Sequence, residues 1–193
     1  MNSFKMKLQV EAGTTRNFEL RVGTEADLDL LCDIDLDAGT LFVRAGLDLD
    51  LPAGHEFFVY ERSRWLHSLA SGLTLVAMES DGSAIGFAAA GLRDEEAYLE
   101  QLSVRMQFMR RGVGTALLRA VERMARRARQ GTLWLTTYAH LDWNRPFYGR
   151  AGFAVVPEAE CGPEILAEVA YERRWLPCPD QRVIMRKQLP ELR

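Results

Sequence analysis

Arg110, Arg111, Gly112 and Gly114 stand directly in front of an apolar helical repeat, in the stretch MRRGVGTALL from Met109 to Leu118. Without a Cβ at Gly112 and Gly114, the backbone there can turn tightly and come close to a ligand. Behind them Ala116, Leu117, Ala120, Val121 and Met124 recur at the spacing of one helix face, with Arg119, Glu122, Arg123, Arg126 and Arg127 opposite. A glycine turn that opens a helix leaves unpaired N–H groups at the positive end of the helix dipole. That arrangement suits a phosphate or pyrophosphate, although the same residues also suit an ordinary loop before a helix. Two familiar phosphate loops are excluded. There is no G-x-x-x-x-G-K-[ST], so a P-loop lacks its lysine and its magnesium-binding hydroxyl. In G-x-G-x-x-G the third position is Leu117, where close helix packing wants glycine or alanine.

Other reactive residue types are sparse. His55, His67 and His140 are scattered, with no H-x-x-x-H pair, so no metal site is expected. His140 ends a strand, where the active sites of open α/β sheets gather, and is kept as a second choice of base beside its reading as a loop residue. Cys32, Cys161 and Cys178 form no C-x-x-C pair and read as reduced thiols of a cytoplasmic protein. A formal charge of −3 over 193 residues speaks against a nucleic-acid partner held by phosphate neutralisation. No apolar run reaches membrane-spanning length and the N-terminus has no signal-peptide pattern, so no membrane partner is expected.

The elements that must position these residues alternate along the chain. Residues 1–17 read as an N-terminal extension, either an extra strand or disordered, and 18–193 as a single domain. Phe18 to Val22 reads as a strand. Thr24 and Asp27 then cap a helix carrying Leu28, Leu31, Cys32 and Ile34, and a second helix is expected from Glu56 to Leu69. Asp81-Gly82 between two apolar runs signals a hairpin. Ala97 to Val104 is a strand that runs into the glycine loop and its helix, and Leu133 to Ala139 is the next. Asn144 to Arg150 forms a short helix ended by Gly152. Phe153 to Val156 is a strand, Pro163 opens another helix, and Arg182 to Leu189 closes as a strand. The order predicts a mixed α/β sheet wrapped by helices.

Two landmarks separated by one strand, the RRGVG loop with its helix and then NRPFYGRAGF from Asn144 to Phe153, together with this strand order resemble the GNAT superfamily of N-acetyltransferases. The likeness runs from Phe18 to Leu189. It implies a mostly antiparallel twisted sheet of six or seven strands, splayed where acetyl-CoA binds. The loop resembles the family motif Q/R-x-x-G-x-G/A that wraps the cosubstrate's pyrophosphate. Its first position is Met109 here, which leaves the side-chain contact to Arg110 or Arg111, while backbone N–H groups over Gly112, Val113, Gly114 and Thr115 do most of the cradling. Leu102 and Val104 correspond to the strand along which the pantetheine arm runs, with a carbonyl-polarising N–H and a strand bulge near Val104. Asn144 resembles the asparagine that contacts the arm.

The resemblance also implies roles. An alkylammonium has a pKa near 10.4 and must lose a proton before attack. Glu100 is the expected base, placed by strand alternation on one face with Tyr98, Leu102 and Val104; a solvent-facing carboxylate is the other reading. Tyr148 is expected to protonate the departing thiolate, and Phe147 to pack. The acceptor is read as an amine-bearing small molecule or peptide. Glu25, Asp27, Asp29, Asp33, Asp35, Asp37, Asp48 and Asp50 form either an acidic wall for cationic amines or, more commonly for such runs, a solvated helix face. Trp65 and Trp143 suit an acceptor pocket or the core. The enzyme reading competes with a binding module that holds acyl-CoA without turnover, and a homodimer is left open. So is whether the helix near 163–175 shapes the acceptor pocket or a dimer contact.

Overall fold

Strands β1 (Phe18–Val22), β2 (Thr74–Glu79), β3 (Ala84–Arg93) and β4 (Glu96–Val104) form an antiparallel meander, continued by β5 (Thr132–Tyr138), β7 (Arg182–Gln188) and β6 (Ala154–Val155). The seven strands lie in the order β1-β2-β3-β4-β5-β7-β6, and β4 with β5 is the parallel pair. This is a computed structural model that describes residues 18–52 and 54–190, so the expectation for residues 1–17 falls outside them.

Helices α1 (Leu28–Arg44), α2 (Glu56–Ala70), α3 (Val113–Arg127), α4 (Arg145–Arg150) and α5 (Pro163–Trp175) cover the two sheet faces. Successive residues of β3 show how the faces divide, as the two-residue period of a strand requires. Ala88 and Ala90 pack with Leu117 and Val121 of α3, and α4 joins this side through Phe147 and Tyr148. Phe87 and Ala89 pack with Leu31 and Ile34 of α1 and Trp65 of α2. Helix α5 lies on that second face as well, with Ile165 and Val169 against Tyr98, Trp134 and Ile184.

Local chemistry explains most boundaries. Gly82 takes φ 86° in the hairpin turn between β2 and β3. Thr24 and Asp27 form the expected capping box, and Arg21 binds the Asp27 carboxylate at 2.7 Å. Helix α1 continues well past Ile34 to Arg44, because Ala38 extends the buried stripe begun by Leu31 and Ile34. Gly152, at φ 93°, follows the end of α4 as expected.

Helix α5 is fixed to the sheet at three points. Asp94, at the tip of the β3–β4 hairpin, accepts the N–H groups of Glu164 and Ile165 at 3.0 Å each. Glu168 pairs with Arg64 of α2 and Arg93 of β3. Near its end Glu172 pairs with Arg182 of β7 at 2.5 Å and accepts the Thr136 hydroxyl of β5 at 2.6 Å. The helix is therefore part of the second face rather than an appendage.

Candidate active site

The parallel pairing of β4 and β5 extends only over Ala97 with Leu133 and Tyr98 with Trp134. Beyond Tyr98 the two strands separate. On its other side β4 stays paired with β3 as far as Val104. The Arg105 N–H donates to the Ile85 carbonyl of β3 at 2.9 Å. Backbone groups alternate in direction along a strand, so those of Leu102 and Val104 point into the opening. Their side chains pack against the α3 cluster.

The strand bulge sits elsewhere than the sequence reading placed it. Ala89 faces Gln101 and Ala90 faces Leu99, which makes Glu100 the extra residue on β4. A bulge puts two consecutive side chains on one face and resets the alternation after it. Glu100 consequently shares the α2 and α5 face with Tyr98 and Gln101, and not a face with Leu102 and Val104. Sequence alternation cannot register such an insertion.

On the α3 face the loop and strand meet. A Cβ added to Gly114 would touch Val104 at 3.7 Å and Phe147 at 3.8 Å, so the loop, the end of β4 and α4 converge around this glycine. Gly112 precedes α3 in the left-handed conformation, φ 82° and ψ 2°, with open space around it. Arg110 is also left-handed, at φ 63°. No side chain caps α3 at this position, and the first turn of N–H groups over Val113, Gly114 and Thr115 has no helical partner. Thr115, Arg110 and Arg111 are exposed and Met109 is half-buried; the Arg111 guanidinium lies 5.0 Å over the Phe108 ring. This cradle of free backbone donors around an uncrowded glycine fits a pyrophosphate.

Tyr148 packs against the same cluster as Leu102 and Val104, its ring edge-on to Phe147 at 5.0 Å and to Phe153 at 5.8 Å. Burial pushes its phenol up, and the charge of Arg182, which belongs to the other face, draws it partly back. Asn144 precedes α4, its carbonyl accepting the Tyr148 N–H at 3.1 Å, without a side-chain cap.

The opposite face is built from charge. The Glu100 side chain is 4% exposed and lies between Arg93, at 3.0 Å, and Arg64, at 2.8 Å. The Arg64 contact is off the N–H axis, an ionic contact rather than an aligned hydrogen bond. Gly91 leaves the space that the Glu100 carboxylate fills. Arg64 also meets Glu168, and Arg93 meets Glu168 at 2.9 Å. Burial works against the Arg64 cation, but Glu61, Glu100 and Glu168 together hold it charged. Closer to the opening, Asp35 of α1 accepts Ser103 at 2.6 Å and Gln101 at 2.7 Å, and burial pushes its carboxyl up despite those bonds. Among the other acidic residues of the first helix region, Asp27 is spent on Arg21, Asp29 on Arg62 and Asp37 on the Met106 N–H. Trp65 is core and Trp143 packs edge-on to Phe42. His140 is exposed, edge-on to Tyr138 at 5.5 Å.

Sequence reading missed Glu61, Arg64, Glu168 and Glu172. One signal was present: along α2 the stripe Phe57, Glu61, Arg64, Trp65, Ser68 carries two charges at positions that helical spacing assigns to the interior. A groove of about 440 Å³ between Tyr60, Leu92, Arg93, Glu168 and Tyr171 lies at the end where β4 and β5 are still joined, away from the opening.

A family model described as the acetyltransferase (GNAT) family matches residues 41–153, more than half of the chain. The fold is similar to that of the PaiA N-acetyltransferase from Thermoplasma acidophilum in complex with coenzyme A, with a TM-score of 0.64 and 18% identity over 89% of this chain and 98% of that one. It is similar to the ribosomal-protein-S18-alanine N-acetyltransferase from Escherichia coli, with a TM-score of 0.60 and 17% identity over 91% and 96%. It also resembles the N-acetylglutamate synthase from Neisseria gonorrhoeae complexed with coenzyme A and N-acetyl-glutamate, at 0.63 and 17%, covering 92% of this chain but 36% of that one.

Proposed function

The chain belongs to the GNAT acetyltransferase family, and from that premise we propose that it transfers an acetyl group from acetyl-CoA to a primary amine of a small molecule or peptide, by direct attack in a ternary complex. The observation that carries the reading is the opening between β4 and β5, which has a backbone-lined cradle at one mouth and a charged surface at the other. Acetyl-CoA supplies, when bound, the thioester carbon that the amine attacks.

The chain's own groups divide the work. N–H groups at the start of α3, from Gly112 to Thr115, hold the pyrophosphate with the helix dipole behind them. Arg110 and Arg111 add charge from the exposed side of the loop, in place of a contact from Met109. The backbone of Leu102 and Val104 offers a strand edge to the pantetheine arm, and a donor there polarises the carbonyl oxygen. Asn144, ahead of α4, contacts the same arm in this reading. Tyr148, whose phenol is kept protonated by burial, gives its proton to the departing thiolate. A carboxylate of the opposite face takes the proton of the ammonium, with Glu100 and Glu61 as the two candidates.

Thermal unfolding with and without acetyl-CoA, together with thiol release over a panel of amines, tests this reading. At a hundredfold excess over Kd, acetyl-CoA is expected to stabilise the wild type by about 2.7 kcal/mol. Gly112→Asp, which strains a left-handed position and puts a negative charge into the cradle, is expected to gain nothing while remaining folded. Stabilisation without thiol release from any amine would leave a protein that binds acyl-CoA and does not turn it over. Absence of stabilisation in the wild type would remove the cosubstrate assignment.

A further inference from the structure

Five carboxylates gather on the α1, α2 and α5 side of the sheet, and four of them are occupied. Asp35 accepts from Gln101 and Ser103, both on β4 beyond its separation from β5. Glu172 accepts from Thr136, on the separated part of β5, and from Arg182. Glu100 and Glu168 share Arg64 and Arg93. Glu61 is different. Among the described residues no donor is hydrogen-bonded to it, and its ionic contact is Arg64 Nη2 at 3.6 Å. Its side chain keeps 15% exposure, so a small amine can reach it. The charges that act on it come from Arg64 on its own helix, Glu168 and Glu172 on α5, and Asp35 on α1. Arg64 Nη2, its ionic contact, also donates to the Glu100 carbonyl at 3.2 Å, which sets Glu61 beside the bulge of β4, past the last residue paired with β5.

We infer that Glu61 is the group that takes the proton from the acceptor ammonium, and that Glu100 is a positioning residue that fixes Arg64 beside it. The inference rests on the acetyl-transfer reading above. The ammonium gives one proton to the Glu61 carboxylate, the neutral nitrogen forms the N–C bond, and the C–S bond breaks as Tyr148 protonates the sulfur. The second nitrogen proton returns to the phenolate and Glu61 releases its proton to solvent, so one proton leaves per acetyl group transferred. Burial, reinforced by Glu172, Glu168 and Asp35 against the pull of Arg64, pushes the Glu61 carboxyl up to about 8. That lies between an ordinary carboxylate and an alkylammonium, the range in which a base can both accept and release at neutral pH. An arriving cation further favours its ionised form.

The experiment compares Glu61→Gln and Glu100→Gln with the wild type in steady-state acetylation of an amine the wild type accepts. Glu61→Gln is expected to lose about a hundredfold in kcat with little change in the KM for acetyl-CoA, and to lose a rise of kcat/KM near pH 8. Glu61→Asp restores part of that rise. Glu100→Gln is expected to lower the melting temperature yet keep the pH step. A stability readout needs no acceptor. Because folding raises the Glu61 pKa, the native state holds a proton that the unfolded chain has lost between the ordinary carboxylate range and about 8, and wild-type stability falls as pH climbs through that window. Glu61→Gln escapes this fall, so its melting temperature should match the wild type near pH 4 and exceed it increasingly up to pH 9. Wild-type kcat and pH profile in Glu61→Gln, a pH step that disappears in folded Glu100→Gln instead, or a melting difference flat in pH each overturn the assignment alone. A wild type that binds acetyl-CoA but acetylates no amine overturns the parent reading, and this one with it.

Discussion

The two mouths of the opening between β4 and β5 are made from different materials. On the α3 side the surface is backbone: a left-handed glycine, a turn of unpaired N–H groups and two strand residues facing a gap. On the α5 side it is side-chain charge, with Arg64, Arg93 and Arg182 set against Glu61, Glu100, Glu168 and Glu172, and with Asp35 held by Gln101 and Ser103. A backbone cradle tolerates substitution around it, because each residue supplies the same N–H. A network of buried ions does not, since most of its members depend on partners that come from other elements. The first surface suits a cosubstrate common to many relatives. On the proposed reading, the second is where one chain can differ from the next in the amine it accepts.

Removing a hub of the charged face should separate the two most strongly. Arg64→Met leaves Glu100 and Glu168 buried with a single shared cation, and an uncompensated buried charge costs ~3–5 kcal/mol. For a chain of this length the melting temperature should fall by about 10 °C, while the remaining folded protein keeps its affinity for acetyl-CoA, measured by calorimetry below the transition. A comparable loss of acetyl-CoA affinity would show that the faces are not independent. Tyr148→Phe attacks the junction between them. Its kcat should drop about a hundredfold, or ~2.7 kcal/mol, with both KM values and the melting temperature near those of the wild type. The smallest effect is expected from Asp94→Ala, which removes the carboxylate that caps α5. Loss of such a cap costs about 1 kcal/mol, read as a fall of about 3 °C in melting temperature, with acetyl-CoA affinity unmoved.

The same contrast explains what could be read in advance. The α3 side is written in local signals: two glycines before a helical repeat, Asp81-Gly82 for the hairpin, and Gly152 closing α4. Each acts within a few residues, so periodicity and turn chemistry suffice. The α5 side depends on pairings such as Arg64 with Glu168, 104 residues apart, which no window of sequence contains. The bulge at Glu100 is equally silent, because an inserted strand residue leaves the composition unchanged and only resets which side chains share a face. Helix α5 was legible as an element from Pro163, but its position over the sheet follows from the cap that Asp94 of the hairpin tip supplies and from Glu168 and Glu172 meeting partners on β3, α2, β5 and β7. In α2, Glu61 and Arg64 on the inward stripe marked a charged interior without saying what it faced.

The carboxylate of Asp94 also bears on the order in which the protein assembles. A helix of 13 residues is marginal in isolation, and its first turn is the costly part. Here the groups that close that turn are supplied by a hairpin tip 70 residues earlier in the chain. The β3–β4 hairpin, whose contacts are local, can form early, and α5 gains its cap once that tip is in place. The α5 face is therefore expected to complete after the hairpin during folding. In native-state hydrogen exchange, the amides of α5 should open together as one cooperative block, released when the hairpin tip lets go rather than by fraying from the helix ends.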